Sequence, residues 1–247
     1  MDRRNFIKTT GIATLAVGSM KNLPATTGVT GQPSTVLFQG DSITDGGRWI
    51  NSTDWNHVLG QGYAYTIAGE LGYKHPDQNL LFYNRGISGN TVHDLADRWE
   101  KDTLELKPEI LSILVGVNDA YGVIHNKNPR SPDDFKATYR QLLTDTKTAL
   151  PDVKLVIMEP FILTVGQVKE NLTQWQAEIA PRQAIAKEIA DEFDAVFIPL
   201  QSYFTEACKK APADHWIWDG VHPMPAGHQL MAQEWMKSVK KKLGFPG

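Results

Sequence analysis

Five short apolar runs alternate along this chain with segments of helical periodicity, and this alternation limits the possible folds more than any other feature. The runs cover residues 35–39, 80–84, 110–115, 153–158 and 195–198. Strands that alternate with helices form parallel sheets whose two faces are both covered. The sequence therefore predicts an α/β fold, a three-layer α/β/α sandwich around a central, five-stranded and mostly parallel sheet.

Helices are expected between and after these strands, on residues 63–71, 91–104, 131–150, 173–193, 202–209 and 224–243. Gly72 is expected to end the first helix, and Pro181 to bend or restart the fourth. The segments 45–62, 117–131 and 161–173 are interpreted as polar loops that could contact a substrate.

Candidate site residues follow several of the predicted strands. Ser42 comes after the first strand, Gly89 after the second and Asn118 after the third, while Asp219 and His222 share a loop after the fifth. Ligands of open parallel α/β sheets bind outside the carboxyl ends of the strands. We therefore expect these five residues at one edge of the sheet.

Three of these residues suit nucleophilic catalysis. A serine hydroxyl is a weak nucleophile until a base accepts its proton. His222 can be that base, and Asp219, three residues earlier, can hold the imidazole in the useful tautomer. Ser42, His222 and Asp219 are therefore the predicted catalytic residues.

Four motifs carry these residues, namely Gly-Asp-Ser-Ile-Thr at 40–44, Gly-Ile-Ser-Gly-Asn-Thr at 86–91, Gly-Val-Asn-Asp at 116–119 and Asp-Gly-Val-His-Pro at 219–223. In this order they resemble the motifs of the SGNH hydrolases, also called the GDSL esterase family, over about residues 34–240. Ile43 stands where the family usually has leucine. The resemblance implies a flavodoxin-like fold, no cofactor, and a site formed by Ser42, Gly89, Asn118 and His222.

An ester hydrolase of this kind needs donors for the oxyanion of its tetrahedral intermediate. The expected donors are the backbone N–H groups of Ser42 and Gly89 and the side-chain amide of Asn118. Glycine suits position 89 because its backbone can approach a substrate closely.

Tryptophans near the predicted site suggest the substrate. Trp49 and Trp55 lie in the segment after Ser42, and Trp218 precedes Asp219. Such rings can stack on sugars or can pack in the core. The predicted function is a secreted serine esterase that removes short acyl groups, acetyl above all, from carbohydrate. The resemblance leaves a lysophospholipase or thioesterase open, and a non-catalytic glycan-binding protein is a further alternative.

Metal catalysis is the other chemistry to consider, because His215, Asp219, His222 and His228 fall close together in the sequence. Two prolines interrupt this segment, and the histidine spacing does not match the pairs three or four apart that favour zinc on a helix. We expect no metal site, and we interpret His215 and His228 as surface or capping residues.

The N-terminal segment resembles a bacterial export signal. Arg3 and Arg4 precede a short, mildly apolar stretch at 11–20, which suggests the twin-arginine type. We expect residues 1–33 to be this signal and a flexible leader, residues 34–247 to be one hydrolase domain, and the protein to be periplasmic or extracellular.

The net charge of −3 gives no electrostatic reason for nucleic-acid binding. No apolar run is long enough for a membrane span, and the sequence leaves the oligomeric state open.

Overall fold

A five-stranded sheet forms the centre of the computed structural model, which describes residues 34–50, 54 and 57–246. Its strands are β1 (Ser34–Gly40), β2 (Leu80–Asn84), β3 (Ile110–Leu114), β4 (Lys154–Met158) and β5 (Val196–Ile198). Their order across the sheet is β2-β1-β3-β4-β5, and every neighbouring pair is parallel. The predicted sheet is confirmed. The predicted leader at 1–33 lies outside the described residues.

Helices follow each strand. They are α1 (Ser42–Asp45), α2 (Tyr63–Lys74), α3 (Val92–Asp97), α4 (Val117–Ile124), α5 (Pro132–Ala149), α6 (Gly166–Glu170), α7 (Leu172–Glu192), α8 (Leu200–Ala207), α9 (Ala213–Trp216) and α10 (Pro225–Leu243). A π-helical turn at Glu100–Leu104 follows α3.

The side chains of β1 alternate between two hydrophobic clusters, one on each face of the sheet. Val36 and Phe38 belong to the cluster that contains α2 and α10, and the Phe38 ring lies 5.6 Å from that of Trp235. Leu37 belongs to the opposite cluster, which contains Leu95 of α3 and residues of α5. Because both faces are covered, β1 is a continuous apolar run rather than an alternating one. The three-layer α/β/α arrangement is confirmed.

The order of the strands places a switch point between β1 and β3. The chain passes from β1 to β2 on one side, then returns to add β3, β4 and β5 on the other. The helices that follow β1 and β3 diverge from such a point and leave a crevice at the carboxyl ends of the strands. Residues that directly follow β1 and β3 therefore border this crevice.

Several predicted helix boundaries and loops were wrong. The first helix does not end at Gly72 but continues to Lys74, because Gly72 does not adopt the positive φ with which a glycine ends a helix. The segment 117–131 begins with α4, whose Val117 and Ala120 are buried, and 161–173 contains α6. The helix expected at 91–104 is α3 followed by the π-helical turn. The fourth predicted helix is α7, which contains Pro181 without a second helix starting there.

Candidate active site

Ser42 is held by a tight turn between β1 and α1. A Cβ atom on Gly40 would come within 2.3 Å of the Leu114 carbonyl oxygen, so only glycine allows β1 and β3 to approach at this point. Asp41 caps α1, because its Oδ1 accepts a hydrogen bond from the Ile43 N–H at 3.0 Å. Burial raises the pKa of Asp41 to about 7. Ser42 is thus the first residue of a short, firmly capped helix.

Ser42, His222 and Asp219 form a continuous chain of hydrogen bonds. The Ser42 Oγ lies 2.8 Å from His222 Nε2, and His222 Nδ1 lies 2.7 Å from Asp219 Oδ2. In the neutral imidazole that these contacts favour, Nδ1–H donates to the carboxylate and Nε2 accepts from the hydroxyl. This is the arrangement in which an imidazole can take the proton of a serine.

Asp219 and His222 each favour the charged form of the other. The hydrogen bond that His222 donates to Asp219 raises the pKa of His222, against the opposing effect of burial. Burial also disfavours the Asp219 carboxylate, but its hydrogen bonds from His222 and Val221 prevail and hold the pKa of Asp219 below its ordinary value. Asp219 is therefore charged at neutral pH, and it favours the protonated imidazole that would form during a reaction.

Backbone N–H groups of the same loop fix the side chain of Asp219. Asp219 Oδ1 accepts from the N–H groups of Val221 at 2.9 Å and His222 at 2.7 Å. Gly220 has a φ of +98°, and a Cβ atom there would lie 2.4 Å from Val168 Cγ2 of α6. Only glycine satisfies both the backbone angle and the close approach of α6.

The two other predicted site residues lie on neighbouring loops. Gly89 has a φ of +87°, and a Cβ atom on it would meet no neighbour within 4 Å, so the space beside its Cα is open. Asn118 lies in the first turn of α4 and donates from Nδ2 to the Asn90 carbonyl at 3.1 Å. Its amide has a second N–H. The loop of Gly89 also meets the serine turn directly, because the Ile87 N–H donates to the Gly40 carbonyl at 3.1 Å.

Trp218 is the predicted substrate-binding tryptophan that the structure brings to this site. Its ring is stacked beside that of His222, with 6.2 Å between centroids and 22° between planes, and 61% of the residue is exposed. Trp49 is equally exposed, but its ring contacts His57 edge-on. Trp55 lies outside the described residues.

His228 and His215, the other two histidines of the metal hypothesis, have structural contacts. His228 Nδ1 accepts from the Tyr63 N–H at 3.1 Å, and burial lowers the pKa of His228 to about 4. The exposed His215 contacts the ring of Trp216. Among the residues that the structure describes, no three His, Cys, Asp or Glu side chains are grouped to hold a metal ion.

Sequence reasoning missed a set of polar residues beneath the site. Asp45, at the end of α1, accepts from both the N–H and the Oγ of Ser88, which had been interpreted as a turn residue. Asn90, interpreted in the same way, is bonded through Oδ1 to Arg98 Nε at 2.8 Å. The signal in the sequence was an aspartate three residues after Ser42. A charged side chain that is buried, as Asp45 is, needs hydrogen-bond donors around it.

Asp119 had been interpreted as a residue that braces its loop rather than one that reacts. Its two carboxylate oxygens lie 3.2 and 3.3 Å from the Val92 nitrogen, at the start of α3. Burial raises the pKa of Asp119 to about 7. The side chain joins α4 to α3 behind the candidate site.

Comparison with known proteins gives relatives of one kind. The sequence profile of the GDSL-like lipase/acylhydrolase family matches residues 38–230. An acetylxylan esterase from Geobacillus stearothermophilus is 34% identical over 215 residues, which cover 85% of this chain and 95% of that protein. An uncharacterised lipoprotein from Bacillus subtilis (strain 168) is 24% identical over 196 residues, 72% of this chain and 74% of the relative.

Solved structures agree with this grouping. A crystal structure from Parabacteroides merdae, assigned to the GDSL-like lipases, superposes with a TM-score of 0.80 at 39% identity and covers 85% of this chain and 98% of its own. The acetylxylan esterase Axe2 from Geobacillus stearothermophilus superposes with a TM-score of 0.75 at 32% identity, covering 85% and 95%. The chain belongs to the GDSL-like lipase/acylhydrolase family and is a carboxylic ester hydrolase.

Proposed function

We propose that this protein removes acetyl groups from carbohydrate by a serine esterase mechanism, with Ser42 as nucleophile, His222 as general base and acid, and Asp219 as the residue that orients His222. The observation that carries this proposal is the hydrogen-bonded chain from Ser42 through His222 to Asp219, beside an exposed tryptophan. The likeness to an acetylxylan esterase over most of both chains supports the acetyl and carbohydrate parts.

The reaction proceeds through an acyl-enzyme. Ser42 Oγ attacks the ester carbonyl carbon while its proton passes to His222 Nε2. The tetrahedral intermediate then collapses, the bond to the sugar oxygen breaks, and His222 returns the proton to that oxygen. Water next attacks the acetyl-serine, its proton passes to His222, and acetate leaves as Ser42 regains its hydrogen.

The oxyanion of both tetrahedral intermediates is stabilised by three donors. These are the backbone N–H groups of Ser42 and Gly89 and the side-chain amide of Asn118. The open space at the Cα of Gly89 supports these roles, as does the second N–H of Asn118, which has no partner among the described residues. Loss of one such donor typically raises the barrier by about 3–4 kcal/mol.

Trp218 favours a sugar as the leaving alcohol. A largely exposed indole beside the catalytic imidazole provides a flat apolar surface on which the face of a pyranose ring can stack. In the segment after α1, the exposed apolar residues Trp49 and Ile50 stand between Arg48 and Asn51, and so short an apolar stretch argues against a groove for a long acyl chain. Trp49 and Trp55 are proposed as further contacts for the glycan.

The test compares chain length and alcohol in one series. Initial rates are measured on p-nitrophenyl esters of two to twelve carbons and on acetylated xylooligosaccharides. We expect kcat/KM to be highest for acetate, because each extra methylene gains about 0.8 kcal/mol only if a groove buries it. A rise from acetate to octanoate would favour a lysophospholipase or thioesterase. Acetate activity without release of acetate from any acetylated glycan would reject the carbohydrate part alone.

Export is proposed on separate grounds. The twin arginine at Arg3 and Arg4 and the likeness to a bacterial lipoprotein support it. Among the described helices, none is both long and apolar enough to cross a membrane. Cell fractionation of the wild type and of an Arg3→Lys/Arg4→Lys variant tests the proposal, with a cytoplasmic enzyme as marker. Equal retention of both proteins with the marker would contradict it.

A further inference from the structure

The loop that carries Gly89 is fastened to the helix that carries Ser42 by one buried carboxylate. Asp45 Oδ2 accepts from the Ser88 Oγ at 2.6 Å and from the Ser88 N–H at 3.1 Å. Its other oxygen, Oδ1, accepts from the Arg48 N–H at 3.0 Å. Asp45 is buried, whereas Ser88 lies at the surface, so the carboxylate binds the loop from its buried side.

Packing around a side chain cannot fix the direction of Gly89. A Cβ atom on Gly89 would find no neighbour within 4 Å, so side-chain packing does not restrain this residue. Its φ of +87° belongs to a region where glycine moves more freely than other residues. The Gly89 N–H belongs to the peptide that joins it to Ser88, and the N–H and hydroxyl of Ser88 both donate to Asp45.

Two further contacts hold the start of the same loop but not its end. Asn84 Oδ1 accepts from the Gly86 N–H at 2.9 Å, and Arg48 Nε donates to the Gly86 carbonyl at 2.7 Å. Both act on Gly86, three residues before Gly89.

The end of the loop is held separately, since the Asn90 N–H donates to the Ile87 carbonyl at 3.1 Å and the Asn90 carbonyl accepts from Asn118 Nδ2. The contact of Asp45 with Ser88 acts on the peptide just before the donor, and it does so from the last residue of the nucleophile helix.

We propose that Asp45 and Ser88 are positioning residues for catalysis, which together fix the Gly89 N–H relative to Ser42 in the oxyanion site. This inference rests on the proposed function. Asp45 lies three residues after Ser42 and acts on the donor through Ser88 rather than by touching the substrate. Because the pair orients a donor that works on developing charge, its loss lowers turnover and leaves substrate binding nearly unchanged.

The first test uses Ser88→Ala, which removes the 2.6 Å bond and keeps the backbone one. We expect kcat to fall about tenfold or more, less than the roughly hundredfold or greater loss typical of a missing donor, with KM within about twofold. Ser88→Thr keeps the hydroxyl at an exposed position and should restore most of the turnover. Ser202→Ala, an exposed serine on α8, is the matched control.

The second test uses Asp45→Asn, which keeps the shape of the side chain. The carboxylate accepts from the Arg48 N–H and from the N–H and hydroxyl of Ser88, and the amide NH₂ of asparagine would face at least one of these donors. We expect a larger loss of kcat than in Ser88→Ala. Inhibition by phenylboronic acid, which forms a tetrahedral adduct with a serine oxygen, should weaken in parallel with kcat in both variants. Thermal unfolding separates this effect from loss of the fold.

The outcomes distinguish this inference from the proposed function. If Ser42→Ala is inactive while Ser88→Ala matches Ser202→Ala in kcat and in boronate affinity, the positioning role is wrong and the mechanism stands. If Ser88→Ala lowers kcat and Ser88→Thr does not restore it, the positioning role is also wrong. If Ser42→Ala keeps wild-type turnover, the proposed mechanism itself fails.

Discussion

At the scale of single residues, His222 links the electrostatics of the site to the pH dependence expected of it. Its neutral form is the base, so activity falls as the pH drops through the pKa of His222. The hydrogen bond that His222 donates to Asp219 raises this pKa. Asp219→Asn removes this effect. We expect the acidic limb of kcat/KM to move to lower pH, with turnover reduced by about 10³-fold or more.

A pH–rate profile of purified Asp219→Asn checks this expectation. Asp214→Asn, at an exposed carboxylate in the preceding helix, is the control for the change in charge. An acidic limb that stays at the wild-type pH would mean that Asp219 does not set the pKa of the catalytic base.

Asn118 is the donor whose side chain can be removed without altering the backbone. Its amide is proposed to act on developing charge, so Asn118→Ala should lower kcat by about 10²-fold while KM changes little. Steady-state kinetics on p-nitrophenyl acetate separates the two parameters. Unchanged turnover with weaker substrate binding would show that Asn118 only positions the substrate.

At the scale of elements, the N-terminus of α2 depends on a residue of α10. His228 accepts the Tyr63 N–H, and its pKa falls from an ordinary 6.5 to about 4 in the folded protein. Between these values the unfolded chain binds a proton that the folded one does not. The free energy of unfolding should therefore decrease as the pH falls from 6.5 to 4, by up to about 1.4 kcal/mol per pH unit.

His228→Gln removes this titration and keeps an oxygen that can accept the Tyr63 N–H. We expect denaturant unfolding to show a flatter pH dependence for the variant than for the wild type across this window. The exposed His215→Gln is the control for loss of a histidine. Identical pH dependences for wild type and His228→Gln would contradict the account of α2.

The elements differ in how far the sequence reveals them. Each strand carries enough consecutive apolar residues to be predicted within about two positions, and α5 has Ser131 as an evident cap. The helices α1, α4, α6 and α9 have four to eight residues. Helices this short are not stable by themselves and show little periodicity, because tertiary packing rather than local propensity forms them.

At the scale of the whole molecule, the parallel sheet explains why residues far apart in sequence could be predicted to meet. Ser42 and His222 are separated by 180 positions, yet both follow strands whose carboxyl ends share one edge. The contact between Asp45 and Ser88 could not be predicted in this way. It depends on the pairing of β1 with β2 and on rotamers in two loops, which no pattern in the sequence specifies.

The mechanism also implies that no metal takes part in hydrolysis. The imidazole supplies the base, and two backbone N–H groups and the Asn118 amide supply the donors. Incubation with EDTA followed by gel filtration should therefore leave kcat/KM on p-nitrophenyl acetate unchanged. A matched sample without chelator is the control. Complete loss of activity that added zinc restores would contradict the mechanism and reopen the metal hypothesis.

The most direct test of the central claim is the initial rate of acetate release from acetylated xylooligosaccharides by the wild type, Ser42→Ala and the control Ser202→Ala. We predict release by the wild type and the control, and a loss of about 10³-fold or more in Ser42→Ala with an unchanged thermal unfolding curve. A folded Ser42→Ala protein that retains activity within about tenfold of the wild type would contradict catalysis by this serine.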